Sequence, residues 1–245
     1  MINNYGMGQI YMKSFFEKHE TLISILLIVI YVISNSYCMQ NFGMTDYRSS
    51  IWNFILSLII IIFIIKNKLG DYYGLTKLPN FKEFLFFIPL LIIMSVNFWN
   101  GIHINNSMDE IIYYIFSMMC VGFLEEIIFR GFLFKMMEKE NVNRAVLVTS
   151  LTFGIGHIVN LLNGASFIPT IMQICYATTL GFLFVTIFQK GKSLWPCIIA
   201  HSAINAFSIF NIENEASLYI VPIFLVFISM SYSMYLRKTI NKNSI

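Results

Sequence analysis

The stretch Ile111–Met136, IIYYIFSMMCVGFLEEIIFRGFLFKM, decides the fold class. About 20 mostly apolar residues suffice for a helix to cross the ~30 Å hydrocarbon core of a bilayer, and this run exceeds that. Yet Glu125, Glu126 and Arg130 sit well inside it. An ionisable side chain at the bilayer centre costs about 2.5–3.5 kcal/mol on insertion scales, so each one marks a functional site by default.

Working outward, the same apolar texture fills the chain. Of 245 residues 57% are hydrophobic and 12% charged, which leaves no room for a separate water-soluble core. Eight apolar runs are expected to be helices, near 22–37, 51–65, 84–99, 111–136, 145–162, 167–188, 194–210 and 218–236. The fold class is therefore all-α, a polytopic membrane helix bundle forming a single integral-membrane domain over 1–245. The second run is short for a bilayer and must borrow flanking residues or thin the membrane locally. The first is expected to remain as an anchor. Mixed charges at Lys13, Glu17, Lys18 and Glu20 precede it, and no small-residue cleavage site follows.

Basic residues orient the bundle. Lys13 and Lys18 lie before the first run. Lys66, Lys68, Lys77 and Lys82 follow the second, and Lys135, Lys139 and Arg144 follow the fourth. Lys190 and Lys192 follow the sixth, and Arg237, Lys238 and Lys242 follow the eighth. All of these fall on one side; the other side has only Arg48. The positive-inside rule then puts both termini in the cytoplasm. The net charge of +3 is then a topology signal and not evidence for nucleic-acid binding.

Polar groups recur at fixed spacing in three runs. In Phe123-Leu-Glu-Glu-Ile-Ile-Phe-Arg-Gly131, Glu126 and Arg130 are four apart and share a helix face, while Glu125 points elsewhere. A structural ion pair accounts for Glu126 and Arg130 and leaves Glu125 without a partner. The fifth run holds Phe153-Gly-Ile-Gly-His157, in which Gly154 and Gly156 are expected to admit a neighbouring helix closely. The seventh starts at Ser193-Leu-Trp-Pro196, with proline in the first turn, and reaches His201-Ser-Ala-Ile-Asn205. Taken singly, such His and Asn residues more often glue helices together than catalyse. At ~1.5 Å per residue, Glu125 lies roughly 15 Å from Lys135, His157 roughly 20 Å from Arg144 and His201 roughly 14 Å from Lys192. Three helices thus bring polar groups to similar depth, on the cytoplasmic side of the midplane. The four cysteines are scattered without a CxxC pair and read as small core residues.

EEIIFR, FGIGH and HSAIN resemble the EExxxR, FxxxH and HxxxN/D motifs of the CPBP family, the CAAX-protease and bacteriocin-processing proteins also called Abi or Rce1-like. The resemblance covers roughly 111–210, and the first three runs contribute no motif. It implies intramembrane hydrolysis of a peptide bond by an activated water. Glu125 would be the general base and His157 would help hold the water, as the first Glu and first His of the family do. His201 and Asn205 would donate hydrogen bonds to the oxyanion, a role worth ~2.7–4 kcal/mol per donor in other enzymes. Glu126 and Arg130 would support the site.

A metal-dependent version uses Glu125, His157 and His201 as ligands of a divalent ion such as zinc, although no HExxH helix is present. The metal-free version is the one adopted. Two other classes compete: a non-catalytic regulator or bacteriocin-immunity scaffold of the same fold, and a proton-coupled transporter using the same Glu and His groups as a relay. Repeated halves, which a transporter would favour, are not seen. The partners expected are the lipid bilayer and a peptide substrate of the leader-peptide, pheromone or bacteriocin-precursor kind, with a bacterial cell membrane as the location.

Overall fold

The computed structural model describes residues 4–78, 87–212 and 214–242. Among these residues the chain forms helices, with no strand. Helix α1 (Asn4–Phe42) bends at His19. It is followed by α2 (Tyr47–Lys66), α3 (Ile88–Phe98), α4 (Met108–Glu138), α5 (Val142–Leu162), α6 (Phe167–Gly191), α7 (Trp195–Phe210) and α8 (Ser217–Lys242).

Six of the eight are long and apolar enough to cross a bilayer, and α3 and α7 are shorter. The third run was expected from Phe84; residues 84–86, and with them Lys82 of the orientation count, lie outside the described residues. The second run gains length from Tyr47–Ser50 and Lys66, which extend it to 20 residues.

Local chemistry sets these boundaries. Asp46 caps α2 by accepting from the Arg48 amide at 2.8 Å. Ser107 and Glu110 form a reciprocal capping box at the start of α4. Asn141 caps α5. After α6, Lys192 adopts a left-handed φ of 54° to reverse the chain, and Pro196 sits in the first turn of α7 as expected.

Large apolar side chains cover the outside. Ile33, Ile65 and Phe227 are 64%, 68% and 71% exposed, an arrangement that only lipid tolerates over so many helices. The protein is an integral membrane protein. Inside, α4 is the hub. Asn53 of α2 donates to Ser117 Oγ at 3.0 Å, and Ser50 donates to the Tyr113 carbonyl at 2.7 Å. Gly122 lies so close to α7 that a Cβ there would come 2.7 Å from the Ser202 nitrogen and 2.8 Å from its Cα. This contact brings the two motif-bearing helices α4 and α7 together.

Gly154 does the same for α5 against α6, where a Cβ would come 2.8 Å from the Ile174 carbonyl oxygen. Gly156 does not. A Cβ there would meet nothing within 4 Å, because it faces a cavity instead of a helix.

Candidate active site

The α-helical ladder of α4 ends at Glu126 and passes into a π-helical stretch, Ile127–Leu133, before resuming. Such turns leave backbone geometry locally wide and gather at functional sites. Glu125 and Glu126 thus stand at the junction, and Arg130 lies within the π-helical turn.

Glu126 and Arg130 are fully buried, at 0% and 1% exposure. Arg130 Nη1 donates to Glu126 Oε1 at 3.0 Å, the pairing expected from their spacing. The guanidinium also lies 4.2 Å from the Phe153 ring centroid, a cation–π contact strengthened by desolvation. The same Glu126 Oε1 receives His201 Nδ1 at 2.8 Å.

His201 Nε2 in turn faces Glu125 Oε2 at 3.3 Å. Tyr31 of α1 donates to Glu125 Oε1 at 2.6 Å, and Asn35 Nδ2 donates to the Tyr31 oxygen at 3.3 Å. A continuous polar chain therefore runs Asn35–Tyr31–Glu125–His201–Glu126–Arg130 across α1, α4 and α7. Glu125 is not the unpartnered carboxylate that the sequence suggested. Tyr31 and Asn35 were missed, since α1 carries no motif. Their signal was a Tyr and an Asn four apart, on one helix face, in a run whose other polar residues up to position 36 are serines.

A cavity of about 340 Å³ opens beside Glu125. Glu125, His157 and Asn205 line it, together with Tyr31, Asn160 and Gln173. His157 follows directly on Gly156, where the regular helix of α5 stops, and its Nδ1 lies 3.0 Å from the Phe153 carbonyl oxygen. A carbonyl only accepts, so Nδ1 carries a proton, and the neutral form of the ring presents a lone pair at Nε2.

His201 is absent from the cavity wall. It stands behind Glu125 with both ring nitrogens facing carboxylates, which leaves neither for the oxyanion contact expected of it. His157 lies five residues from the end of α5. Among the described residues no three His, Cys, Asp or Glu side chains are grouped to hold a metal ion. The donor set Glu125, His157 and His201 does not fit one, because His201 is turned between the two glutamates while His157 belongs to the cavity wall.

Comparison with known proteins concerns the same part of the chain. Residues 106–207 match the family described as Type II CAAX prenyl endopeptidase Rce1-like. The chain is also 34% identical over 85 residues to the protein named "Putative membrane peptidase YdiL" of Bacillus subtilis (strain 168), a match covering 34% of this chain and 30% of that protein. The matched stretch is thus less than a third of the relative's length. Glu125, Glu126, Arg130, His157, His201 and Asn205 all fall within residues 106–207, the stretch that is similar to the Rce1-like family.

Proposed function

We propose that this protein is an intramembrane endopeptidase that cleaves a membrane-associated peptide with a water activated by Glu125. The observation that carries the proposal is a carboxylate on the wall of a polar cavity inside a lipid-embedded bundle, oriented by Tyr31 and His201 and sharing the cavity with His157.

In this mechanism Glu125 takes a proton from water as the water oxygen bonds to the scissile carbonyl carbon. The lone pair of His157 Nε2 accepts from the same water and holds it for attack. The Asn205 amide donates to the oxyanion of the tetrahedral intermediate. Collapse breaks the C–N bond, and Glu125 returns the proton to the leaving nitrogen. His201 is a positioning residue: Glu126 fixes its Nδ1 side, and its Nε2 side fixes Glu125. Arg130 neutralises Glu126 in the dry interior. No step requires a metal.

The substrate class that suits this site is a leader peptide, pheromone or bacteriocin precursor in a bacterial cell membrane, with both termini of the enzyme cytoplasmic. The test is proteoliposome cleavage of a fluorogenic peptide library by wild type and by Glu125→Gln, paired with peptide profiling of cells that lack the gene. Cleavage by wild type alone supports the reading. A wild-type preparation that is folded and cleaves nothing, with no peptide accumulating in the deletion cells, overturns it in favour of a scaffold.

A further inference from the structure

The helices build the cavity from one end of the bundle. α1 contributes residues from Tyr31 to Met39, close to its end at Phe42, and α5 contributes residues from Phe153 to Asn160, with Asn163 just beyond its end. α7 contributes Ile204, Asn205 and Ser208, in its last two turns. A second cavity of about 600 Å³ shares Asn97, Gln173, Tyr176 and Ile204 with the first and runs on to Asn211 and Asn214, beyond the end of α7. Toward the other end the core around Arg130 is packed, and the cavity of about 530 Å³ found there, between the starts of α3 and α7, is apolar and is lined by other residues, among them Leu90, Trp195 and Pro196. Phe132, Phe134 and Phe184 are each 1% exposed, as is Arg130.

The two ends differ in charge. The connections at the cavity's end, 43–46, 99–107, 163–166 and 211–216, contain no Lys or Arg. The opposite end carries Lys66, Lys68 and Lys77, then Lys139, Lys190 and Lys192. A basic rim faces the cytoplasm. The wall chemistry is equally one-sided. Asn35, Asn160, Gln173 and Asn205 offer amides that both donate and accept; among the described lining residues Glu125 is the one Asp, Glu, Lys or Arg of the first cavity, and the second adds Glu215 and no Lys or Arg.

We infer that the site takes its substrate from the extracytoplasmic side, as an extended stretch of uncharged polypeptide. The substrate class rests on the protease reading above, whereas the side of entry does not. Extended backbone presents one N–H and one C=O per residue, which the amide walls can pair. An acidic side chain would meet Glu125 unfavourably, and a basic one would tie up the general base.

Thiol labelling in cells tests both parts without requiring turnover. The background is Cys175→Ser, since Cys38, Cys120 and Cys197 are buried and Cys175 is exposed. Single cysteines are placed at Val159 on the cavity wall, at the exposed Asp109 beside the cavity end, and at the exposed Glu140 on the basic end. A membrane-impermeant thiol reagent should modify Val159→Cys and Asp109→Cys on intact cells, and Glu140→Cys only after lysis. Modification of Val159→Cys only after lysis, or protection of it in both states, overturns the inferred side of entry. Labelling of Glu140→Cys in place of Asp109→Cys on intact cells does the same by inverting the bundle. A mixture of uncharged decapeptides should slow Val159→Cys labelling several-fold, and a mixture of Asp- and Glu-rich decapeptides should not. Equal effects overturn the substrate class while leaving the side intact. Failure of hydrolysis in the proteoliposome assay would leave the labelling pattern unaffected, so the two readings fail separately.

Discussion

Tyr31 on α1 donates its hydroxyl to Glu125 Oε1 on α4 at 2.6 Å, joining two residues 94 positions apart. A hydrogen bond to an ionised group contributes about 1.5–3 kcal/mol, which corresponds to roughly ten- to hundredfold in rate if the bond orients the base in the transition state. Tyr31→Phe keeps the ring in its place in the core and removes only the hydroxyl. Turnover should fall by that factor with KM and melting temperature little changed. An unaltered kcat would mean that His201 alone is enough to hold Glu125.

The α4–α7 contact gives a second prediction. A Cβ at Gly122 would press on the Ser202 backbone, which cannot yield as a flexible side chain would. Gly122→Ala should force the helices apart, lengthen the Glu126–His201 contact and lower stability by ~1–3 kcal/mol, with loss of activity. Gly156→Ala serves as the contrast, since open space awaits its methyl group. Its melting temperature should match wild type, and a matching loss at both glycines would refute the close-contact explanation.

Elements with a helical period were legible in the sequence, and relations between helices were not. The spacing of Glu126 and Arg130 suggested their pairing because i and i+4 share a face on an α-helix, and the pair persists although Arg130 lies in the π-helical turn. The proline at 196 marked the start of α7 for an equally local reason. The π-helical stretch at Ile127–Leu133 has no comparable local signature, and it alters the aim of the side chains around it. Which face of α1 meets Glu125 depends on packing that residue spacing within α1 cannot reveal. The orientation of His201 was hidden for the same reason. Its spacing from Asn205 suggested two donors on one face, but tertiary packing set it between two carboxylates.

Asp46 supplies a pH prediction outside the membrane. The Arg48 side chain, and then its amide, hold the Asp46 carboxyl down at about 2. A carboxylate with a depressed folded-state value contributes stability in full above its ordinary range near 3.8, and that contribution is lost as pH falls toward about 2. Asn also caps helices but does not titrate. Between pH 5 and pH 2 the melting temperature of wild type should therefore drop further than that of Asp46→Asn. Parallel curves would show that the Asp46–Arg48 contact adds no pH-dependent stability.

The two adjacent glutamates should separate cleanly. Glu125→Gln keeps size and hydrogen-bonding capacity but cannot take a proton from water, so hydrolysis should vanish while the protein still folds and inserts. Glu126→Gln leaves the Arg130 cation without its counter-charge at 1% exposure, and breaking a buried pair in this way costs ~3–5 kcal/mol. It should lower melting temperature and expression as well as activity. Adding Arg130→Gln removes the orphaned cation, so the double variant should regain part of the stability, although not all, because the contact with Phe153 is lost as well. Activity should not return with it, since His201 would no longer be held by a charged Glu126. Melting temperature and turnover of the three variants decide the matter. A well-folded Glu126→Gln that is inactive beside an active Glu125→Gln would move the general base to Glu126.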